Sequence, residues 1–406
     1  MAQLPRTTQA CIRHSWRTPL KAKPNGEVAR VLLAFLATAG IFYINIMPAI
    51  VDGLKEGLAF TNKQAGLVAS ANTYGAAVGA LLVVFLVTHI NWRKASYALL
   101  ALLISIDLTC MFLRDPVVLI AVRALYGLCG GALVGIGFSV MSRTSEVSRT
   151  FGYLLTIQFG LGGVGIIYLP ALVPAFGTKA LFLSLATFGL VTMIMLPFLS
   201  DYPARDQPDR KVAGLIPSGP AVFALIATFL FQAANMAIYA YSIGIGKFAG
   251  LDPSFVSTSL GIGAWIAIAG SVLVIILSTK LGRLKPVSIA ILITAMSTWA
   301  LHNSDINPDS WFSSVFWLAN VVIAITWAFT ISYLLGMCAE FDRTGQMAAL
   351  GGFASKMGLA SGPFFAAYVV GENNYGLVIT ASTLCLILCM FAAVLPSKIL
   401  DAADMR

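Results

Sequence analysis

Charged residues are scarce in this chain, and so is histidine. Asp, Glu, Lys and Arg together make up 11% of the 406 residues, whereas a soluble domain carries about 25%. The three histidines form no His-Glu-x-x-His motif, and none accompanies a serine in a buried segment. The sequence therefore offers no metalloprotease or serine-hydrolase constellation. We expect neither a water-solvated domain nor an enzyme.

Nucleotide-binding and metal-binding motifs are also missing. The segment most like a phosphate-binding loop, residues 244–248, lacks both the spacing and the hydroxyl residue of Gly-x-x-x-x-Gly-Lys-Ser/Thr. The six cysteines show neither metal-ligand spacing nor an extracellular disulfide framework. The sequence therefore predicts no cofactor and argues against ATP-driven transport by this chain alone.

Long apolar runs dominate the sequence instead. Hydrophobic residues make up 58% of the chain, and the mean hydropathy is +0.86. A helix needs roughly 20 apolar residues to cross a bilayer. Twelve segments of about that length, spans 1 to 12, are 30–51, 63–87, 95–113, 116–140, 151–173, 177–199, 218–243, 254–279, 286–302, 311–337, 346–370 and 375–396. The sequence predicts an all-α membrane protein with twelve transmembrane helices in two six-helix halves.

The spans and the polar segments between them predict five regions. They are a basic N-terminal tail (1–29), a first six-helix half (30–199), a polar linker (200–217), a second six-helix half (218–396) and a C-terminal tail (397–406). The N-terminal tail has no apolar core, so we do not expect a signal peptide.

Basic residues are distributed unequally between the two sides of the predicted bundle. On the side of the termini and the linker lie 19 of the 26 Lys and Arg, and only five lie on the opposite side. The positive-inside rule then predicts that both termini are cytoplasmic. The net charge of +9 is accounted for by topology, so we expect a lipid bilayer and no nucleic acid as partner.

A polar pattern in span 1 repeats in span 7. Thr38, Asn45 and Asp52 recur 190 residues later as Thr228, Asn235 and Ser242. Seven residues at 100° each return to within about 20°, so each set lies on one helix face. The pattern predicts two tandem halves with a polar stripe in each, as in secondary transporters. An alternative is that the stripes are interhelical hydrogen-bond contacts, worth about 0.6 kcal/mol each.

Several motifs resemble those of the major facilitator superfamily. The basic turn after span 2 retains Arg93 and Lys94 but lacks the acid of the family motif, and Arg283 recurs after span 8 at the same offset of 190. Residues 123–132 resemble the Arg-x-x-x-Gly-x-Gly motif of span 4. A Gly-x-x-x-Gly-Pro sequence, found in span 5 of the family's drug/proton antiporters, stands in span 11 here, at residues 358–363.

The resemblance implies a fold and roles for particular residues. Spans 1 and 7 would line a central cavity, so the stripes of Asn45 and Asn235, with Gln232 and Tyr239 beside the second, would contact substrate. Arg123 would take part in proton coupling, and the basic turns with Arg93 and Arg283 would act in gating. Pro48, one turn after Asn45, would bend span 1 and help it to gate.

Three charges lie inside predicted spans: Asp107, Arg123 and Lys356. Each costs roughly 2.5–3.5 kcal/mol at a helix centre, so each needs a partner, a wet cavity or a function. Asp107 and Arg123 lie at matching depth on adjacent antiparallel helices, so we expect either a static ion pair or a proton-coupling pair. Lys356 and its repeat counterpart Gln158 lie at mid-depth, and we expect both to contact the substrate or a proton.

Together these features predict a secondary transporter that moves a small organic solute by alternating access, coupled to protons. The embedded cations favour an anionic or neutral polar substrate. The alternatives are a multidrug-type efflux proton antiporter and, from a different class, a membrane sensor or receptor that does not transport. We expect a monomer in the bacterial inner membrane.

Overall fold

The computed structural model of the protein describes residues 21–86, 90–202, 219–277, 280–302, 310–341 and 346–404. Within these residues the chain forms fifteen α-helices, one 3-10 helix at Leu196–Phe198 and no strand. The α-helices are α1 (Glu27–Ala39), α2 (Phe42–Asn45), α3 (Met47–Leu58), α4 (Asn62–Leu86), α5 (Trp92–Cys110), α6 (Pro116–Met141), α7 (Val147–Phe176), α8 (Lys179–Met195), α9 (Gly219–Phe248), α10 (Pro253–Ile266), α11 (Ile268–Leu277), α12 (Leu284–Ala300), α13 (Ser310–Glu340), α14 (Gln346–Val369) and α15 (Tyr375–Asp404).

Twelve predicted spans correspond to these fifteen helices because two spans are interrupted. Span 1 consists of α1, α2 and α3, and span 8 consists of α10 and α11. Eight spans of the described residues are long and apolar enough, taken alone, to cross a membrane. The all-α membrane fold predicted from the sequence is therefore confirmed, and the helix order agrees with twelve spans.

The interruptions of span 1 have local causes. A Cβ on Gly40 would lie 2.2 Å from the carbonyl oxygen of Gly130, so span 1 touches the backbone of α6 where α1 ends. Pro48 lies in the first turn of α3 and has no amide hydrogen, so the carbonyl of Ile44 loses its helical donor. The break thus lies just before Pro48, and its role in gating stays a prediction.

Glycines let helices pack closely in both halves. A Cβ on Gly79 of α4 would lie 1.9 Å from the Leu128 carbonyl oxygen of α6, and one on Gly362 of α14 would lie 2.4 Å from the Ala233 carbonyl oxygen of α9. Lipid gives helices no hydrophobic reason to associate, so close backbone approach of this kind holds a membrane bundle together.

The two ends of the bundle are named here by the chain termini. The end that holds Glu27 and Asp404 is the terminal side, and the opposite end is the distal side. On the terminal side the amide of Ala22 donates to the Phe198 carbonyl at 2.8 Å, which ties the end of the N-terminal tail to the end of span 6. Most of the predicted linker lies outside the described residues, so the region boundaries stay predictions.

Candidate functional site

A cavity of about 200 Å³ lies between the two halves. It is bordered by six spans, namely 1, 5, 7, 8, 10 and 11. Its lining consists of Ile41, Ile44, Asn45, Leu155, Gln158, Phe159, Gly162, Asn235, Met236, Ile238, Tyr239, Ser242, Leu260, Gly263, Ala264, Ala267, Asn320, Ile323, Ala324, Trp327 and Leu359. Among the described residues, no charged side chain lines this cavity. Its polar groups are amides and hydroxyls set in an apolar wall.

Four predicted site residues meet at the cavity. Asn45 donates to the carbonyl of Gln158 over 3.4 Å, which joins spans 1 and 5 of the first half. Tyr239 donates from its hydroxyl to the carbonyl of Asn45 at 2.6 Å, which joins the halves. Asn235 lies on the same wall of α9 as Tyr239. Of the two stripes, Asn45 of span 1 and Asn235 and Ser242 of span 7 therefore line the cavity, whereas Thr38, Asp52 and Thr228 do not.

Asn235 carries an acceptor that no protein group uses. Its side-chain amide donates to the carbonyl of Phe231 at 2.8 Å, and this bond fixes which end of the amide is oxygen. That oxygen, Oδ1, is buried and has no hydrogen-bond donor within the described residues. A buried polar atom without a partner is costly, so Oδ1 suits a donor brought in by a bound molecule.

Gln232 does not line the cavity, although it was predicted to contact substrate. Its side-chain oxygen accepts from the Trp327 indole at 2.8 Å, and its nitrogen donates to Ser355 at 2.8 Å. The indole of Trp327 does line the cavity and meets Phe159 edge to face, with 6.1 Å between ring centroids. Gln232 thus holds Trp327 in place from behind.

Lys356 also lies away from the cavity lining. It lies three residues before Leu359, which does line the cavity, and residues three apart share a helix face. Lys356 is partly buried, and no carboxylate of the described residues forms an ion pair with it. The structure therefore places this cation about one turn from the cavity, toward the terminal side.

Asp107 and Arg123 form a buried ion pair inside the first half. The Arg123 guanidinium donates to Asp107 Oδ1 at 2.7 Å and to Asn72 Oδ1 at 3.2 Å. Its central carbon lies 3.7 Å from the Tyr126 ring centroid and 4.5 Å from that of Tyr43. Both charged side chains are almost completely excluded from solvent. Asp107 faces the bundle, and neither residue lines the cavity.

Arg93 and Arg283 tie equivalent turns to the ends of their own halves. Arg93 donates to the carbonyls of Leu196 and Leu199 at 2.9 and 2.8 Å, and it pairs with Asp201. The side chains of Lys21 and Arg93 lower the pKa of Asp201 by hydrogen bonding to it. These contacts supply an acid that the sequence motif itself lacks, and a gating role stays a prediction.

In the second half Arg283 occupies the position equivalent to that of Arg93 and forms ion pairs with three acidic side chains. It pairs with Glu340 at 2.6 Å, with Asp404 at 2.7 Å and with Asp401 at 3.3 Å. The turn before it needs Gly282, which has a φ of +68°. The repeat seen in the sequence therefore corresponds to a repeated structural contact between the basic turn and the last span of each half.

Replacing Arg283 with alanine is expected to lower the free energy of unfolding by about 1–3 kcal/mol, since charge-assisted bonds from a nearly buried guanidinium are lost and three acids are left close together. Lysine at this position should restore only part of the loss, because it lacks the planar fork. The free energies of unfolding of the two purified variants, each compared with that of the wild type, test both expectations. The exposed Lys94, replaced by alanine, is the matched control and should change stability little.

The halves are joined at the distal side by a set of polar contacts that we call the distal closure. Lys247 of α9 bonds Asp52, at 2.7 Å, and Glu56 of α3. In addition, Tyr241 donates to the Asn62 carbonyl at 2.9 Å, and Lys55 donates to the Tyr375 hydroxyl at 2.9 Å. On the terminal side, by contrast, no ion pair of the described residues joins the first half to the second.

Spans 5 and 8, which both contribute to the cavity lining, touch each other backbone to backbone. A Cβ on Gly163 would lie 2.8 Å from the Gly261 carbonyl oxygen, and one on Gly261 would lie 2.8 Å from that of Gly163. Beside them the Trp265 indole donates to the Gly160 carbonyl at 3.0 Å. This contact also crosses from the first half to the second.

Phe159, Asn320 and Trp327 also line the cavity and were not predicted from the sequence. A signal for two of them was present: Asn320, Ile323 and Trp327 have the spacing of one helix face, as Thr38 and Asn45 do. The aromatic edge of Trp327 had no counterpart in the repeat and could not be found from symmetry.

Comparison with known proteins identifies relatives over most of the chain. The Major Facilitator Superfamily model matches residues 31–367. The inner membrane transport protein YdhP of Escherichia coli (strain K12) is 28% identical over 203 residues, which is 49% of this chain and 51% of YdhP. The chain thus matches about half the length of this curated relative.

Solved structures share the fold. The nucleoside transporter NupG superposes with a TM-score of 0.72 at 13% identity, covering 92% of this chain and 100% of that chain. A bacterial homolog of the human lysosomal transporter Spinster, in an inward-facing conformation, gives a TM-score of 0.62 at 12% identity, covering 94% and 96%. At such identities the likeness shows the fold alone.

Proposed function

Because the chain belongs to the Major Facilitator Superfamily, we propose that it is a secondary transporter that carries a small, uncharged polar organic solute by alternating access. The cavity between the halves is the proposed solute site. In this proposal the termini are cytoplasmic and the distal side faces outward. The conformation described, with its distal closure formed, would then be the one in which the solute site is shut to the outside.

The free acceptor of Asn235 is the observation that carries the proposal. A solute with an N–H or O–H group could donate to Oδ1, while Asn45 and Gln158 face it from the other half. Trp327 and Phe159 add an aromatic corner that suits a ring or another flat surface. A charged solute would find no opposite charge on this lining, so we favour a neutral one over the anion that the sequence also allowed.

A second candidate is efflux of amphipathic compounds. It is favoured by the predominantly apolar lining and by the position of Lys356 outside that lining. Such a site would bind its ligands by burying apolar surface and not by hydrogen bonds. Binding would therefore depend on Trp327 more than on Asn235. The two candidates therefore differ in which replacement matters.

Proton coupling is part of the proposal, with the Asp107–Arg123 pair as the residues predicted from the sequence. Their burial against two tyrosines supports a coupled unit, and it also suits a static pair. A monomer in the bacterial inner membrane completes the proposal. The match to an inner membrane transport protein supports that location.

The test is a thermal-shift screen of purified protein against neutral polar solutes, carboxylates and cationic amphipaths. We expect a neutral polar solute to stabilise the protein best. Asn235→Ala should raise the Kd of that solute about tenfold, since one hydrogen bond to a buried group is worth about 1.5 kcal/mol.

The matched control is Thr294→Val, which removes a buried hydroxyl of α12 that bonds Thr326 at 2.8 Å and is not part of the cavity lining. It should leave solute binding unchanged. Preferential stabilisation by cationic amphipaths, kept in Asn235→Ala and lost in Trp327→Ala, would support efflux instead.

A further inference from the structure

Two asparagines of the second half are held in the same way beside the cavity. Asn235 of α9 donates from its amide to the Phe231 carbonyl at 2.8 Å. Asn320 of α13 donates to the Phe316 carbonyl, also at 2.8 Å. Each nitrogen bonds the carbonyl four residues earlier, so a flipped amide would set oxygen against oxygen. Each Oδ1 is therefore identified, and neither accepts a hydrogen bond from the described residues.

Other polar side chains on the lining have already used their donors. The hydroxyls of Tyr239 and Ser242 donate to backbone carbonyls at 2.6 and 2.9 Å. The Trp327 indole donates to the side-chain oxygen of Gln232 at 2.8 Å. A hydroxyl has one hydrogen and an indole has one N–H. Tyr239 and Ser242 can therefore only accept a further bond, and Trp327 has no hydrogen left to give.

The second half thus offers the cavity more free acceptors than free donors. Each asparagine keeps one amide hydrogen, whereas its oxygen, with two lone pairs, is unused. A solute with acceptors alone would leave the oxygens of Asn235 and Asn320 unpaired, and an unpaired buried oxygen weakens binding. Gln158 of the first half makes no side-chain hydrogen bond within the described residues, so it can donate or accept.

The charge and shape of the cavity restrict the solute further. No carboxylate of the described residues lines it, so a cationic donor would find no counter-charge there. The rings of Trp327 and Phe159 meet edge to face, with 6.1 Å between their centroids, and such a corner packs well against another ring. The volume of about 200 Å³ suits one small ring compound.

We propose that the solute of this cavity is a small neutral ring compound with two O–H or N–H donors. One donor bonds Asn235 Oδ1, the other bonds Asn320 Oδ1, and the ring packs against Trp327. The inference rests on the proposed function and adds to it a chemical class for the solute. It also adds Asn320 as a second residue that determines specificity. Gln158 pairs with whichever polar group the solute presents to the first half.

The test compares three probes built on one benzene ring. 1,3-Dihydroxybenzene carries two donors, 1,3-dimethoxybenzene carries acceptors only, and 1,3-difluorobenzene is close in size to the diol but has no donor. Their Kd values are measured by titrating the purified full-length protein in detergent, with protein-free micelles to correct for partitioning. We expect the Kd of the diol to be about tenfold lower than that of either other probe, which equals about 1.4 kcal/mol.

Asn320→Leu, which keeps the size of the side chain and removes the acceptor, should raise the Kd of the diol about tenfold. It should not raise the Kd of 1,3-difluorobenzene. Asn320→Asp keeps an oxygen acceptor and should keep the binding of the diol. The control Thr294→Val removes a buried bond to α13 outside the lining and should bind all three probes as the wild type does. If Asn320→Leu folds poorly, Asn235→Leu should show the same selective loss.

Equal Kd values of the three probes in the wild type overturn the inference. Wild-type binding of the diol by Asn320→Leu overturns it as well. In both cases the proposed function stands if neutral solutes stabilise the protein and are taken up. Donor-selective binding without uptake of any bound solute would instead contradict transport and support the inference. If none of the probes and none of the neutral solutes in the thermal-shift screen binds, both are overturned.

Discussion

Replacing Asp107 with alanine is expected to lower the free energy of unfolding by about 3–5 kcal/mol. The Arg123 guanidinium cannot lose its proton, and it is fully buried, so the variant would contain a buried cation without a counter-charge. Asn72 and the ring of Tyr126 would stabilise it only in part. Unfolding of purified protein in detergent is the measurement.

The double variant Asp107→Leu/Arg123→Met should recover most of that stability, because replacing a buried pair with apolar residues is often neutral or stabilising. The control is Arg149→Ala at an exposed ion pair with Glu27, where a loss below about 1 kcal/mol is expected. If Asp107→Ala were no worse than this control, the buried pair would not be the structural element described above.

The same variants separate the two readings of the pair. A double variant that is stable and still transports with a proton dependence would make the pair a static link between spans 3 and 4. A stable double variant that has lost only its proton dependence would support coupling through Asp107. Stability and transport must therefore be measured on the same preparation.

Valine in place of Gly163 is expected to reduce transport at least about tenfold. Its side chain would collide with the Gly261 carbonyl and the Trp265 indole, which lie 2.8 and 2.4 Å from a Cβ at this position. Overpacking of this kind costs about 1–3 kcal/mol, and here it destabilises a contact between the two halves. Spin labels on cysteines at Ala175, at the exposed distal end of α7, and at Asn373, in the exposed distal turn before α15, should then report a changed ratio of open to closed molecules in a background without the native cysteines.

Gly160→Ala is the matched control for this variant, since a Cβ there meets nothing within 4 Å. It lies one turn away on the same helix and should transport normally. Equal loss of transport in both variants would mean that helix propensity in α7, and not contact between spans 5 and 8, explains the effect.

Much of the fold follows from features that the sequence displays directly. Apolar run length sets the number of spans, because lipid requires each crossing segment to satisfy its own backbone. The offset of 190 residues correctly paired Arg93 with Arg283, whose contacts at the ends of the two halves are equivalent. Helix periodicity predicted one face for Asn45 and Asp52, but span 1 is interrupted at Ile46 between them, and only Asn45 lines the cavity.

The features that the sequence did not reveal also have physical causes. The sequence indicated how deep a residue lies along its span, but not the direction in which its side chain leaves the helix. Gln232 and Lys356 could therefore not be placed relative to the cavity lining. Lys247 was assigned correctly to the side opposite the termini, yet its pairing with Asp52 depends on how the halves meet. A contact between residues 195 positions apart leaves no local pattern in the chain.

The most direct measurement is solute uptake by proteoliposomes, using the compound that best stabilises the purified protein. We expect saturable uptake above that of protein-free liposomes, reduced about tenfold in Asn235→Ala at low solute concentration and unchanged in Thr294→Val. A compound that binds at Asn235 but is never taken up would contradict transport and would indicate a sensor or receptor built on the same fold.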